Sequence, residues 1–339
     1  MPSNYPIVWV HLGKSKIAPY LKKSLENVSE LFTDYPLVLL VDHKQNVKSL
    51  EIQNLSVIKI EFLDTDWQSI KNQLEHDLRF RHEFWFNSLA RFKAIYTYME
   101  MEGLDTALHI ESDVTLLPNF PIEVLRKLHD VMSYPLQGAG QGIASLLHIG
   151  SREVLAEFLS FCHNEVQKNA KSTDMSILYN FLKHRPSKVL IMPTLHSSLN
   201  HHKEYSPDRR IASEHRDLFG GVFDAISIGQ YLFGVDPRNN RGIRKLYWED
   251  ENHWVKPSQY RYEFIGDTLF AREGQVDTKV FSLHIHSKDP NAFKFVSLHS
   301  LLEKRSQDSI NGQKSEIIFR ELFQSIYRSL MRRFVDLWH

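Results

Sequence analysis

Apolar and polar positions along this chain fall into two rhythms. Ile7-Val8-Trp9-Val10-His11, Leu37-Val38-Leu39-Leu40-Val41-Asp42 and Val57-Ile58-Lys59-Ile60 are short apolar runs, the pattern of strands buried in a sheet. Between the first two, residues 16–32 place Leu21, Leu25, Val28, Leu31 and Phe32 at helical spacing. Residues 84–101 do the same with Phe84, Leu89, Phe92, Tyr96 and Met99, and a further strand-like run ends at Glu111. Strands alternating with helices predict an α/β fold, a mostly parallel sheet flanked by helices.

The pattern continues less regularly. Residues 143–149 and 188–192 read as strands, and 153–166, 175–182 and 223–233 as helices. Residues 193–221 are polar and aperiodic, and so long a loop in a compact domain is commonly functional. Residues 260–283 alternate as short antiparallel strands, a small addition to the sheet, with turns at Gly266-Asp267 and Glu273-Gly274. No internal repeat is visible. Residues 316–338 carry a helical stripe of Phe319, Leu322, Phe323, Ile326, Leu330, Met331 and Phe334, with Arg320, Arg328, Arg332 and Arg333 among the polar positions. This C-terminal amphipathic helical tail either docks on the protein or rests on an anionic membrane. The expected organisation is one domain over 1–300 and the tail over 301–339.

Composition narrows the classes. A chain of 339 residues that is 42% hydrophobic can bury a sizeable core and is not low-complexity. A formal net charge of +0 supplies no global field to draw in nucleic acid. One cysteine, Cys162, excludes an internal disulfide framework and fits a reducing compartment. There is no leader-like N-terminal pattern and no apolar run of ~18–20 residues. The expectation is a soluble cytoplasmic protein, peripheral to the inner face of a membrane at most through its tail.

The chemistry concentrates in two segments. In Asp105-Thr106-Ala107-Leu108-His109-Ile110-Glu111-Ser112-Asp113-Val114 an apolar run ends in two carboxylates around one small residue. Carboxylates at a buried strand end need positive charge, and a divalent metal carrying a diphosphate supplies it; a turn after a core strand is the plainer reading. In Phe281-Ser282-Leu283-His284-Ile285-His286-Ser287-Lys288, a strand period of two sets His284, His286 and Lys288 on one face. Imidazoles ligate metals and an ammonium holds phosphate, with His286 at the strand mouth the preferred ligand and His284 the second. Ligands in α/β sheets gather outside the carboxyl ends of strands, which favours one site built from both segments.

Ser88-Leu89-Ala90-Arg91-Phe92 on a helix, followed by Leu108-His109-Ile110-Glu111-Ser112-Asp113-Val114, resembles the core of GT-A-fold glycosyltransferases, in which an Ala-Arg helix precedes a strand ending in an Asp-x-Asp-type motif. Leu283 to Lys288 resembles the closing metal- and phosphate-binding strand of such enzymes, and Thr173-Asp174-Met175 their acceptor-side segment. The resemblance covers roughly residues 5–290, through short motifs. The first acidic position is Glu111 rather than Asp, and its longer side chain reaches toward the ribose or sugar as readily as the metal, so Asp113 is the safer ligand.

The resemblance implies a nucleotide-sugar donor, a divalent metal (Mn²⁺ or Mg²⁺) across its diphosphate, and a glycan or lipid-linked acceptor, as in bacterial surface-polysaccharide assembly. It places Arg91, Glu111, Asp113 and Lys288 at the donor and Asp113, His286 and His284 at the metal. Inversion at the anomeric centre needs a carboxylate base: Asp174 is the first candidate and Asp224 the second, although acidic residues at helix starts also serve as caps. Asp224 and Gln230, behind Gly220-Gly221, either face the cleft or cap the helix. Trp248 and Trp254 are candidates for a sugar-stacking wall.

Other motifs fail. Gly13-Lys14-Ser15 lacks the upstream P-loop glycine, Gly138-Ala139-Gly140-Gln141-Gly142 misses the dinucleotide fingerprint, and His196, His201 and His202 lack ligand spacing. The rivals to glycosyl transfer are a nucleotidyltransferase on a related sheet, a metal-dependent phosphoester hydrolase, and a non-catalytic nucleotide-binding module.

Overall fold

The apolar runs do form the centre of the protein. In the computed structural model, which describes residues 4–13, 17–42, 50–76, 83–195, 207–236, 252–293 and 298–300, the first strands are β1 (Ile7–His11), β2 (Leu37–Val41) and β3 (Leu55–Lys59). They are followed by β4 (Ala107–Ile110), β5 (Val114–Leu116), β6 (Met132–Gly138), β7 (Gln141–Gly142), β8 (Leu146–Ile149) and β9 (Val189–Met192). The main sheet has the order β3-β2-β1-β4-β8-β6-β7, with β9 paired to β6. The β3-β2-β1-β4 half is parallel, and so is β6 with β9; β8 runs antiparallel between β4 and β6. The fold is therefore α/β with a mostly parallel central sheet flanked by helices, as the alternation predicts.

Helices cover both faces of the sheet. They are α1 (Pro19–Leu31), α2 (Thr65–Gln73), α3 (Phe84–Met101), α4 (Ile122–Leu125), α5 (Arg152–Lys168) and α6 (Asp174–His184). Ile7, Trp9, Leu37 and Leu39 pack with Leu21, Leu25 and Val28 of α1, whereas Val8, Val38 and Leu40 pack in the opposite core with α3, α5 and α6. Alternate side chains of one strand thus enter two separate cores, which is why β1 and β2 read as unbroken apolar runs.

Two elements departed from the apolar pattern. Strand β6 lies inside the sheet, but Pro135 interrupts its run. Proline has no N–H to give the ladder, so its presence argues against a central strand; here its carbonyl accepts from Ile143 N–H at 2.9 Å. Helix α2 is mostly polar and buries only Trp67 and Ile70, too short a stripe to stand out.

The rest of the described chain holds α7 (Pro207–Ile211), α8 (Arg216–Phe219), β10 (Gly221–Val222), α9 (Ser227–Phe233), β11 (Arg261–Ile265), β12 (Thr268–Glu273), β13 (Val276–Val280) and β14 (Ser282–His284). Strands β11, β12 and β13 form the predicted antiparallel meander. Strand β14 pairs antiparallel with β5. Helix α9 is shorter than predicted, because the chain bends at Ala225-Ile226 before entering it. The amphipathic tail over 301–339, His196, His201, His202 and Trp248 lie outside the described residues. No helix among the described residues is long and apolar enough to cross a membrane.

Candidate metal and donor site

The two chemistry-bearing segments meet because of strand register. Glu111-Ser112-Asp113 is the turn between β4 and β5, with Val114 N–H donating to Glu111 O at 3.2 Å. In the β5–β14 ladder Val114 lies opposite His284, and Ile285 N–H donates to Asp113 O at 2.7 Å. The pairing thereby delivers the His284 side chain beside both carboxylates. One ligand atom each from Glu111, Asp113 and His284 lie within 4.8 Å of one another.

The orientation of His284 is set by its other nitrogen. Nδ1 lies 2.9 Å from Ala225 O, and a carbonyl only accepts, so Nδ1 carries a proton there. Nε2 therefore faces the carboxylates, 3.4 Å from Asp113 Oδ1 and 3.9 Å from Glu111 Oε2. Burial alone would push the His284 pKa down, but Asp113 and Glu111 outweigh it and raise it to about 9. Burial disfavours the Asp113 carboxylate too, yet Lys288 and His284 hold its pKa well below the ordinary value.

A linear chain of charges runs through the site. Lys288 Nζ is 2.9 Å from Asp113 Oδ2 and 5.1 Å from the Tyr20 ring centre. Arg91, on α3, pairs with both Glu111 and Asp174. Burial raises the Asp174 pKa despite Arg91, while Arg91 overcomes burial at Glu111 and lowers that one. Asp174 is the first residue of α6, where Thr173 and Ser176 form a capping box, so its own carboxylate is left to face Arg91.

These side chains line a cavity of about 380 Å³, together with Val10, His11 and Tyr20 from the β1–α1 side, and Phe84, Trp85, Asn87, Ser88 and Met175 from the starts of α3 and α6. Two carboxylate oxygens and one imidazole nitrogen form a donor set that suits a divalent metal ion.

Several expectations are redrawn by this geometry. The strand ends at His284, so the period of two does not carry on to His286 and Lys288. The chain turns back instead: His286 N–H donates to His284 O and Lys288 N–H to Ile285 O, both at 2.8 Å, and Lys288 adopts a left-handed φ of 61°. A non-glycine residue there is strained, and such strain gathers at functional sites. The turn still lands Lys288 on Asp113. His286 lines the cavity but stands outside the cluster of three, accepting from Asp236 N–H at 2.9 Å through Nδ1. Burial lowers its pKa to about 4.

Asp224 does not line the cavity. Its oxygens accept from Ile228 N–H (2.9 Å), Gly229 N–H (2.7 Å) and His284 N–H (3.0 Å), so it caps α9 and ties that helix to β14. Trp254 is buried in the core rather than forming a wall of the cavity. Asp236, only 2% exposed, also lines the cavity. It went unnoticed in the sequence, because one acidic residue after Gly234-Val235 carries no periodic or motif signal.

No protein-family model matches this chain, and no curated protein matches it. Among solved structures it is similar to PaToxG glycosyltransferase, at 11% identity and a TM-score of 0.37 over 63% of this chain and 78% of that one. It is similar also to an active-site mutant of LgtC, at 15% identity and a TM-score of 0.42 over 65% of this chain and 85% of that one.

Proposed function

We propose that this chain is a metal-dependent glycosyltransferase with a GT-A-like domain, moving a sugar from a nucleotide-sugar donor to a glycan or lipid-linked acceptor. The observation that carries the reading is the Glu111/Asp113/His284 cluster at strand ends, with Lys288 on one flank and Arg91 and Asp174 on the other. Glu111, Asp113 and His284 would hold the ion, with His286 beside them. When bound, the ion supplies Lewis-acid stabilisation to the departing nucleoside diphosphate.

The chain's own residues do the remaining work. Lys288 turns its ammonium toward the same space and adds positive charge for a phosphate. Arg91 keeps Glu111 ionised and fixes it relative to Asp174. Asp174 would take the acceptor hydroxyl's proton in an inverting reaction: it lines the cavity, and burial, which raises its proton affinity, suits a base. Asp224 is assigned a positioning role, through its bond to His284 N–H. Surface-polysaccharide assembly in the cytoplasm, beside the membrane that holds the acceptor, is the proposed setting.

The test is a thermal-shift panel of nucleoside diphosphates and nucleotide sugars, with and without Mn²⁺, on wild type and Asp113→Asn. Ligand at about 100 times its Kd adds about 2.7 kcal/mol of stability. The expected result is a metal-dependent rise in Tm for one nucleotide that the variant lacks. No rise with any nucleotide would refute the reading, and phosphoester turnover without an acceptor would transfer it to the hydrolase.

A further inference from the structure

The cavity has two chemically different ends. At one, Lys288, Asp113 and Tyr20 are charged or polar. At the other, Phe84, Trp85, Asn87, Ser88 and Met175 line it, and none of the five carries a charge. Phe84, Ser88 and Arg91 recur at i, i+4 and i+7 on α3, so they share one face of that helix. Phe84 stands two turns before Arg91, roughly 10 Å along the helix axis.

The two rings make a corner. Trp85 stacks on His76, with ring centres 5.2 Å apart and planes 28° apart, which backs one of its faces. Phe84 meets Trp85 edge-on, at 5.1 Å and 76°. Phe84 is 39% exposed, a large apolar side chain left at the rim of a polar cavity. Ser88 Oγ donates to Phe84 O at 2.9 Å, leaving its oxygen as an acceptor.

We propose that the Phe84/Trp85 end is an acceptor subsite for a neutral carbohydrate, which rests on the glycosyltransferase reading above. If the diphosphate lies against the Lys288 end, the transferred sugar points toward Asp174 and the acceptor enters past it. A pyranose has an apolar C–H face edged by hydroxyls. Aromatic rings meet the face, and Asn87 and Ser88 meet the edge. None of these five described lining residues carries a charge, which suits a neutral sugar. Asp174 then stands between the acceptor hydroxyl and the donor.

The test uses the full-length protein and a panel of neutral methyl pyranosides, with binding read by saturation-transfer NMR from aromatic resonances. At least one glycoside is expected to bind. Trp85→Ala and, independently, Phe84→Ser should weaken it about ten-fold, the scale of losing a ring contact, while Trp85→Phe keeps most of the affinity. The nucleotide- and Mn²⁺-dependent Tm shift reports the donor end separately and is read on every variant. If Trp85→Ala loses that shift its fold is disturbed, and Phe84→Ser, at an exposed position, decides the matter. Equal binding by wild type and Phe84→Ser overturns the proposal. So does binding of a dodecyl glycoside with no binding of any methyl glycoside, which would mark a lipid surface. A wild type lacking the nucleotide shift would instead overturn the donor reading and leave glycoside binding to be judged alone.

Discussion

His148 shows how burial in the sheet governs a residue's behaviour. It is 0% exposed in β8, where the Tyr5 hydroxyl donates to Nδ1 at 2.6 Å and Nε2–H donates to Leu128 O at 2.9 Å. The Leu128 carbonyl can only accept, so the proton sits on Nε2 and the ring is neutral. Burial lowers its pKa from 6.5 to about 4. The folded value lies below the unfolded one, so on acidification the unfolded chain binds the proton first. The stability is fully present above pH ~6.5 and falls away as pH drops toward ~4, by about 3 kcal/mol in all. Urea unfolding across this range should be flatter with pH for His148→Gln than for wild type. Parallel curves would show that this ring does not titrate across unfolding. Nothing in the local sequence distinguishes His148 from the exposed histidines; only its place in the sheet does.

The contact between α9 and β14 is the element on which the proposed Glu111/Asp113/His284 metal site depends. A Cβ placed on Gly229 would stand 2.0 Å from His284 O and 3.0 Å from Asp224 Oδ2. Backbone meets backbone there, so no side-chain adjustment relieves the clash. Gly229→Ala is expected to push α9 off β14, cost about 1–3 kcal/mol in urea unfolding, and weaken Mn²⁺ binding by displacing His284. Unchanged Mn²⁺ affinity in a destabilised Gly229→Ala protein would show that His284 is held by the β5 ladder alone. At this scale the long periodic elements were legible. Helix α3 matches its pattern from Phe84 to Met101, and β1 and β2 match their runs. Strand β6 and helix α2 were not, since a proline breaks one pattern and polar residues dilute the other.

At the scale of the whole molecule, a sheet with both faces covered and the separate β5–β14 pair bring the ends of β1, β4 and β14 around one cavity. How the chain stands to a membrane is a property of this scale too, and the tail is its proposed determinant. The apolar spacing from Phe319 to Phe334, with four arginines among the polar positions, is the sequence pattern from which a helix on an anionic surface is expected. Full-length protein is expected to sediment with vesicles of phosphatidylglycerol and phosphatidylcholine, and protein ending at residue 300 to stay in the supernatant. Equal sedimentation of the two would refute the membrane role and favour docking on the domain.

The sequence by itself determined the α/β class, most of the strand and helix positions, and the two segments that carry charge, because apolar period and acidic or basic residue type are local properties. It could not determine which of two neighbouring histidines meets the carboxylates. That depends on where β14 stops and on its register with β5, and register is a relation between segments more than 160 residues apart. The sequence ranks Asp174 before Asp224 as a candidate base but leaves open where either side chain goes, since both sit at helix starts in sequence. Tertiary structure separates them: one carboxylate pairs directly with Arg91 in the lining of the cavity, and the other is consumed by three backbone N–H groups in the core.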